Sequence, residues 1–279
     1  MQYGRKGVAV QTLPRGTEGR ATLHLLGTAA DVDLLPLPEL PAACTRPMPD
    51  DPLTTFDVFW TTFAENYNSF ARKNIDWAAA RARFRPKVTA ETEPDELYAV
   101  LRDMITPLED MHTSVAGADG AEFFGQRLGT RELSSRDLRT AVDEHLGEDL
   151  GVTEIQNFAG NAISYADLPG GRGYLRVTAF EGYRKDDGSY LASKAELDRV
   201  LDAVFTPARV AALRGLVIDV RNNSCGDDAL GLQLAGRLTD TPYPAFSKQP
   251  RNDPKDQTRH GRLQTVTVTP ADGPRTPAR

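Results

Sequence analysis

The sequence predicts an α/β protein with a helical subdomain ahead of its α/β part, and three observations carry that reading. Aromatic residues at helical spacing begin abruptly at Phe56. Three helix-like segments then follow one another with short connections. From Gly173 onward, apolar strand-like runs alternate with amphipathic helical runs. That alternation is the pattern of βαβ units, whose ligand edge lies at the carboxyl ends of the strands.

Residues 1–50 read as a β-rich or irregular lead-in with a proline-rich linker. Ala21–Leu26 has strand character, and the prolines between Leu34 and Pro52 block helix and remove ladder donors. Residues 51–113 form the helical subdomain. Asp50 or Asp51 before Pro52 is a start signal, since proline is tolerated in the first turn. Phe56, Phe59, Trp60, Phe63, Tyr67 and Phe70 recur at three- and four-residue steps, as a core-facing stripe does. Asp76 opens a second helix ended by Pro86, and Glu93-Pro94 a third, with Leu97, Val100, Leu101, Met104 and Ile105 on its apolar face.

Residues 114–170 are a connecting segment, with a helix over 133–150 and a strand near 161–165. Residues 171–279 are the α/β core, beginning with a strand over Gly173–Phe180. Ser193 is expected to cap a helix whose face is Leu197, Val200, Leu201, Val204 and Phe205. Gly215–Val220 is an apolar run of the kind expected for a buried parallel strand. A turn at Asn222–Gly226 leads into a helix carrying Leu230, Leu232, Leu234 and Leu238. The tail from Pro242 is polar and proline-rich, with one strand-like run at Leu263–Thr269.

Composition narrows the function. The 279 residues suffice for one large domain or two modest ones. With 40% hydrophobic and 26% charged residues the composition is that of a globular protein. A net charge of -6 and a pI near 5.3 argue against nucleic acid as a partner, because little would neutralise phosphates. No run reaches the roughly 18 apolar residues that a membrane helix needs. The first residues carry charge without an apolar stretch behind them, so a cytoplasmic chain is expected. Cys44 and Cys225 make no disulfide framework, and their spacing leaves a single bridge open. His24, His112, His145 and His260 are scattered without ligand spacing, so neither a metal nor any other cofactor is implied.

Two segments have the makings of chemistry. In Leu108-Glu109-Asp110-Met111-His112-Thr113 a histidine leaves a helix end in a polar loop, where it can serve as general base or simply cap carbonyls. In Asp219-Val220-Arg221-Asn222-Asn223-Ser224-Cys225-Gly226 a strand runs into a tight turn before a helix. Such a turn can aim backbone N–H groups at a developing oxyanion, or can be an ordinary β-to-α loop.

Taken together, the order is specific: an aromatic helix, a Pro-Leu-x-Asp-x-His-Thr loop, Gly-Tyr-Leu-Arg-Val, then Leu-Val-Ile-Asp-Val-Arg-Asn-Asn. This resembles the tail-specific, or C-terminal-processing, serine peptidases, and most closely the branch with a tricorn-type core. The resemblance spans about residues 53–250. It implies a core related to the crotonase and Clp-protease fold, incomplete here, behind the helical subdomain. It implies His112 as general base, and Ser224, Cys225 and Gly226 as the oxyanion turn, with Asp219 and Arg221 structural. Peptide or protein tails are the implied substrates. No peptide-binding PDZ insert fits between His112 and Gly173, and complete relatives are often exported.

Two departures follow. Cys225 stands where relatives usually have glycine, which implies strain if a positive φ is needed there. The nucleophilic serine is expected after a strand starting near residue 275, and the acid that steadies the histidine later still. The chain ends at Arg279, so no nucleophile is assigned within it and it is expected to be inactive as given. Substitution by Ser224 or Cys225 and a non-catalytic peptide-binding module on the same scaffold are the alternatives. The missing strand should also leave an open, aggregation-prone sheet edge.

Overall fold

The computed structural model describes residues 10–15, 20–127, 129, 135–152, 154–223, 225–253, 256 and 258–276. In chain order the strands and helices are β1 (Val10–Arg15), β2 (Arg20–Leu25), β3 (Asp31–Leu34), α1 (Pro52–Asn66), α2 (Trp77–Phe84), α3 (Pro94–Ile105), β4 (Ser114–Ala116), β5 (Glu122–Phe124) and α4 (Ser135–Leu150). They continue with β6 (Gln156–Phe158), β7 (Ile163–Leu168), β8 (Arg172–Val177), α5 (Tyr190–Val204), α6 (Pro207–Ala212), β9 (Gly215–Asp219), α7 (Asp228–Gly236), β10 (Tyr243–Lys248) and β11 (Gln264–Val268). The fold is α/β. The chain divides into two compact units, one of residues 37–132 and 251–260, the other of residues 1–36, 133–250 and 261–279. Among the described residues no helix is long and apolar enough to cross a membrane.

In the helical unit, α1 and α2 start at side-chain caps. Asp51 Oδ1 accepts the Thr54 N–H at 2.8 Å, and Asp76 Oδ1 accepts the Ala79 N–H at 2.9 Å, so both helices have satisfied N-caps. At the third start Glu93 and Glu96 form a capping box, in which Glu96 reaches back to the Glu93 N–H at 3.2 Å. The three helices close over Phe56, Trp77, Phe84, Leu101, Met104, Ile105 and Leu108. The aromatic stripe outlasts its helix. Phe59–Phe63, Tyr67–Phe70 and Phe70–Trp77 have ring centroids 4.9, 4.8 and 5.0 Å apart, although α1 stops at Asn66. The hairpin β4–β5 adds Val115 to this core.

The other unit is built on a four-stranded sheet in the order β6-β7-β8-β9. β6, β7 and β8 are antiparallel, and β9 joins β8 in parallel after the α5–α6 crossover. Register pairs Ile163 with Val177 and Tyr165 with Leu175, which puts all four on one face. They pack with Leu197, Val200, Leu201, Val204 and Phe205 around α5, and with Leu230 and Leu234 of α7. The opposite face carries Ser164, Tyr174, Arg176 and Asp219, all buried as well. A three-stranded sheet β1-β2-β3 belongs to the same unit: the Gly27 carbonyl accepts the Ala229 N–H, and Asp31 exchanges two backbone hydrogen bonds of 2.8 Å with the Gln264 amide.

Several expectations change. α5 is capped by Ser189, whose Oγ accepts the Ala192 N–H at 3.2 Å; Ser193 lies a turn inside, buried against the core. β9 is parallel as expected but not buried. It lies at the edge of its sheet with one neighbouring strand, leaving Val217 49% and Val220, just beyond its end, 52% exposed. Β10 was not foreseen in the tail; it pairs with β11 across a bulge between Pro244 and Phe246. Cys44 and Cys225 are not joined in a disulfide. The predicted helix start at Leu133 and the chain end at Arg279 fall outside the described residues.

Candidate functional site

The two expected halves of the site lie in different units of the chain. In the helical unit, α3 runs into a single tight turn at Thr106–Leu108, after which Glu109 takes a left-handed conformation with φ 46°. That reversal brings Asp110 under the following loop. Its Oδ1 accepts both the His112 backbone N–H at 3.0 Å and the His112 ring at Nδ1, 3.1 Å away. Its Oδ2 accepts the Tyr67 hydroxyl at 2.9 Å. Thr113 Oγ1 and N–H both donate to the Asp110 carbonyl, at 2.7 and 2.9 Å. Gly125 closes the loop from beside β5: its N–H donates to the Thr113 carbonyl, and a Cβ there would lie 2.5 Å from Thr113 Oγ1.

The carboxylate of Asp110 is held below the usual range, foremost by the His112 backbone N–H and then by Tyr67 and the imidazole, against the opposing effect of burial. Tyr67 is pushed up to about 12, first by burial and then by that carboxylate. At neutral pH tyrosine is therefore the donor and aspartate the acceptor. His112 itself is 91% exposed at its side chain, so the ring projects outward from a loop anchored beneath it.

In the α/β unit, β9 ends at Asp219, which is tied down by three groups. Tyr174 donates its hydroxyl at 2.5 Å, and the Arg221 guanidinium and backbone N–H donate at 2.7 and 2.9 Å. Burial pushes Asp219 upward, but these hydrogen bonds outweigh it and hold the carboxyl at about 2. Asn222 takes φ 61°, and the Asn223 side chain donates to the Val177 carbonyl at the end of β8. Ser224 lies outside the described residues.

Gly226 is the point of this turn that only glycine can occupy, with φ 140°. A Cβ there would lie 2.2 Å from the Phe180 carbonyl oxygen. The Phe180 N–H donates to the Cys225 carbonyl and the Asp227 N–H to the Phe180 carbonyl, a parallel bridge centred on Gly226. In such a bridge the N–H of the central residue faces away from its partner. The positive φ next to Cys225 is taken by Gly226, which reaches it freely. The Cys225 thiol donates to Glu181 Oε1 at 2.7 Å. A carboxylate against the sulfur is the opposite of the cationic setting that activates a nucleophilic cysteine. α7 begins only at Asp228, so Cys225 also lies outside the helix N-terminus, the other setting that lowers a thiol's pKa.

Sequence reasoning missed two residues here. Asp110 sits inside the noted Asp-x-His-Thr string, where its spacing from His112 was the available signal. Gly125, which the loop cannot replace, has no signal in its own neighbourhood.

A family model described as the tricorn protease C1 domain matches residues 49–106. Among solved structures, a candidate peptidase from Parabacteroides merdae is similar with a TM-score of 0.62 and 21% identity, over 81% of this chain and 65% of that one. Mature CPAF is similar at a TM-score of 0.41 and 12% identity, over 72% of this chain and 60% of that one. The chain thus spans less than two thirds of the length of either. No protein of curated function matches the sequence. The chain has the α/β fold of the Parabacteroides candidate peptidase and carries, in its helical unit, a segment similar to the tricorn protease C1 domain.

Proposed function

We propose that this chain is the scaffold of a serine-type, tail-specific peptidase with a tricorn-type, crotonase-related core. His112 is its general base, Gly226 donates a backbone N–H to the oxyanion, and Ser224 and Cys225 shape that turn. The nucleophilic serine is supplied by sequence following Arg279. In the reaction, the serine hydroxyl attacks the scissile carbonyl as His112 Nε2 takes its proton. The tetrahedral oxyanion is held by the Gly226 N–H, the imidazolium protonates the leaving amine, and water releases the acyl-enzyme.

The observation that carries this reading is the setting of His112. It is an exposed imidazole on an anchored loop, a few residues beyond the segment similar to the tricorn protease C1 domain. The outward Gly226 N–H supports the second half.

The test is hydrolysis of extended fluorogenic peptides by the 279-residue chain and by a form continued through the next encoded residues. Activity should appear only in the continued form and fall by about 10³-fold or more in His112→Ala. Hydrolysis by the short chain would move the nucleophile to the Ser224–Cys225 turn. Saturable peptide binding without cleavage by either form would transfer the reading to a binding module.

A further inference from the structure

We propose that Asp110, itself held by Tyr67, is the positioning residue for His112: it fixes the imidazole with its proton on Nδ1 and its lone pair on the outward Nε2. This rests on the reading of His112 as the base. It differs from the expectation that the steadying acid lies later in a longer chain, because the acid is found two residues before the histidine.

A general base needs two things from its surroundings: a defined tautomer and a defined ring orientation. An exposed histidine on a loop ordinarily has neither. Here the Asp110 carboxylate accepts at Nδ1, 3.1 Å away, which requires the proton to be on that nitrogen in the neutral ring. The carboxylate cannot swing away to water, because the same oxygen accepts the His112 backbone N–H and the other accepts the Tyr67 hydroxyl. Tyr67 is in turn packed against Phe63 and Phe70, so the aromatic stripe of the helical core anchors the assembly. The backbone below is fixed by Thr113 and Gly125.

As a source of stability, a pair this exposed is worth little. Its consequence is orientation, the role that the buried aspartate performs in serine-peptidase triads. With Nδ1 occupied, the remaining nitrogen is the one that projects into solvent and can receive a proton from a nucleophile.

The direct test is the ring tautomer, read from long-range ¹H–¹⁵N spectra of the uniformly labelled 279-residue chain at a pH where the imidazole is neutral. His112→Gln assigns the signal among the four histidines. The chain should show His112 chiefly as Nδ1–H, whereas a histidine side chain free in water favours Nε2–H. Asp110→Ala, which removes the acceptor at Nδ1, should shift it towards Nε2–H, and Asp110→Glu should restore part of the Nδ1–H population. An Nε2–H ring in the unaltered chain overturns the proposal even if no variant folds, and so does an Asp110→Ala ring that stays Nδ1–H. Because this readout needs no turnover, it can succeed where hydrolysis fails. In a hydrolytically competent form, Asp110→Ala should lower kcat by about 10²–10⁴-fold with KM little changed.

Discussion

Trp60 and Trp77 exchange hydrogen bonds: the indole of each donates to the backbone carbonyl of the other, at 2.9 and 3.0 Å. The exchange locks α1 to the start of α2 with two half-buried indole N–H groups satisfied at once. Replacing either tryptophan by phenylalanine should cost about 1 kcal/mol, the net worth of one such bond. Truncation of Trp77 to alanine should cost roughly 3–5 kcal/mol through the cavity it leaves. Urea unfolding followed by far-UV circular dichroism measures both, and equal losses for the two kinds of change would contradict this account.

Gly226 and Gly182 separate conformational strain from steric conflict. Both have positive φ, but a Cβ at 182 meets nothing within 4 Å, whereas one at 226 would run into the Phe180 carbonyl. Gly182→Ala should therefore cost about 1 kcal/mol. Gly226→Ala should cost about 3 kcal/mol or more, or prevent folding. The comparison is read from denaturation midpoints, and similar costs would mean that the Phe180 bridge yields easily.

Asp219 makes part of the stability acid-sensitive. Its folded value, about 2, lies below that of an unfolded aspartate, so its contribution is complete above about pH 4 and is lost as pH falls through 2. With Arg221 largely exposed and screened, the amount at stake is roughly 1–2 kcal/mol. Asp219→Asn should be less stable at pH 6 and should lose less than the unaltered chain between pH 5 and pH 2.5. Parallel slopes in that interval would remove Asp219 as the cause.

The edge of β9 should make the chain associate with itself. Val217 and Val220 present an apolar, unpaired border of the kind that other proteins guard with lysine. Sedimentation velocity should show association rising with protein concentration, reduced by Val217→Lys. A monomer at all concentrations would show that the edge is not adhesive.

Much of this architecture was written in local signals. Asp51 and Asp76 declared their helices because each precedes an apolar-periodic run and offers a carboxylate to the exposed N–H groups. Ser189 was overlooked in favour of Ser193 because the first turn of α5 carries an exposed Leu191, which hides the periodicity until Leu197. β10 was hidden by Pro244, which is accommodated beside a bulge rather than in a regular ladder. The exposure of β9 could not be read from Leu-Val-Ile at all, since composition records what a strand prefers and not which strands lie beside it. The candidate base was legible in Asp-x-His-Thr, but Asp110's hold on it depends on the left-handed turn at Glu109. No nearby glycine announces that turn.

The division of the chain has a consequence for how it can be taken apart. Neither unit is a continuous stretch: the helical one is laid down in two passes, 37–132 and 251–260, within the sequence of the other. A single cut near residue 133 would strip β1–β3 from the sheet unit, together with the Gly27–Ala229 and Asp31–Gln264 links. It would also leave the 251–260 excursion without its host. Gene dissection therefore has to follow four borders rather than one, excising paired segments and splicing the remainder.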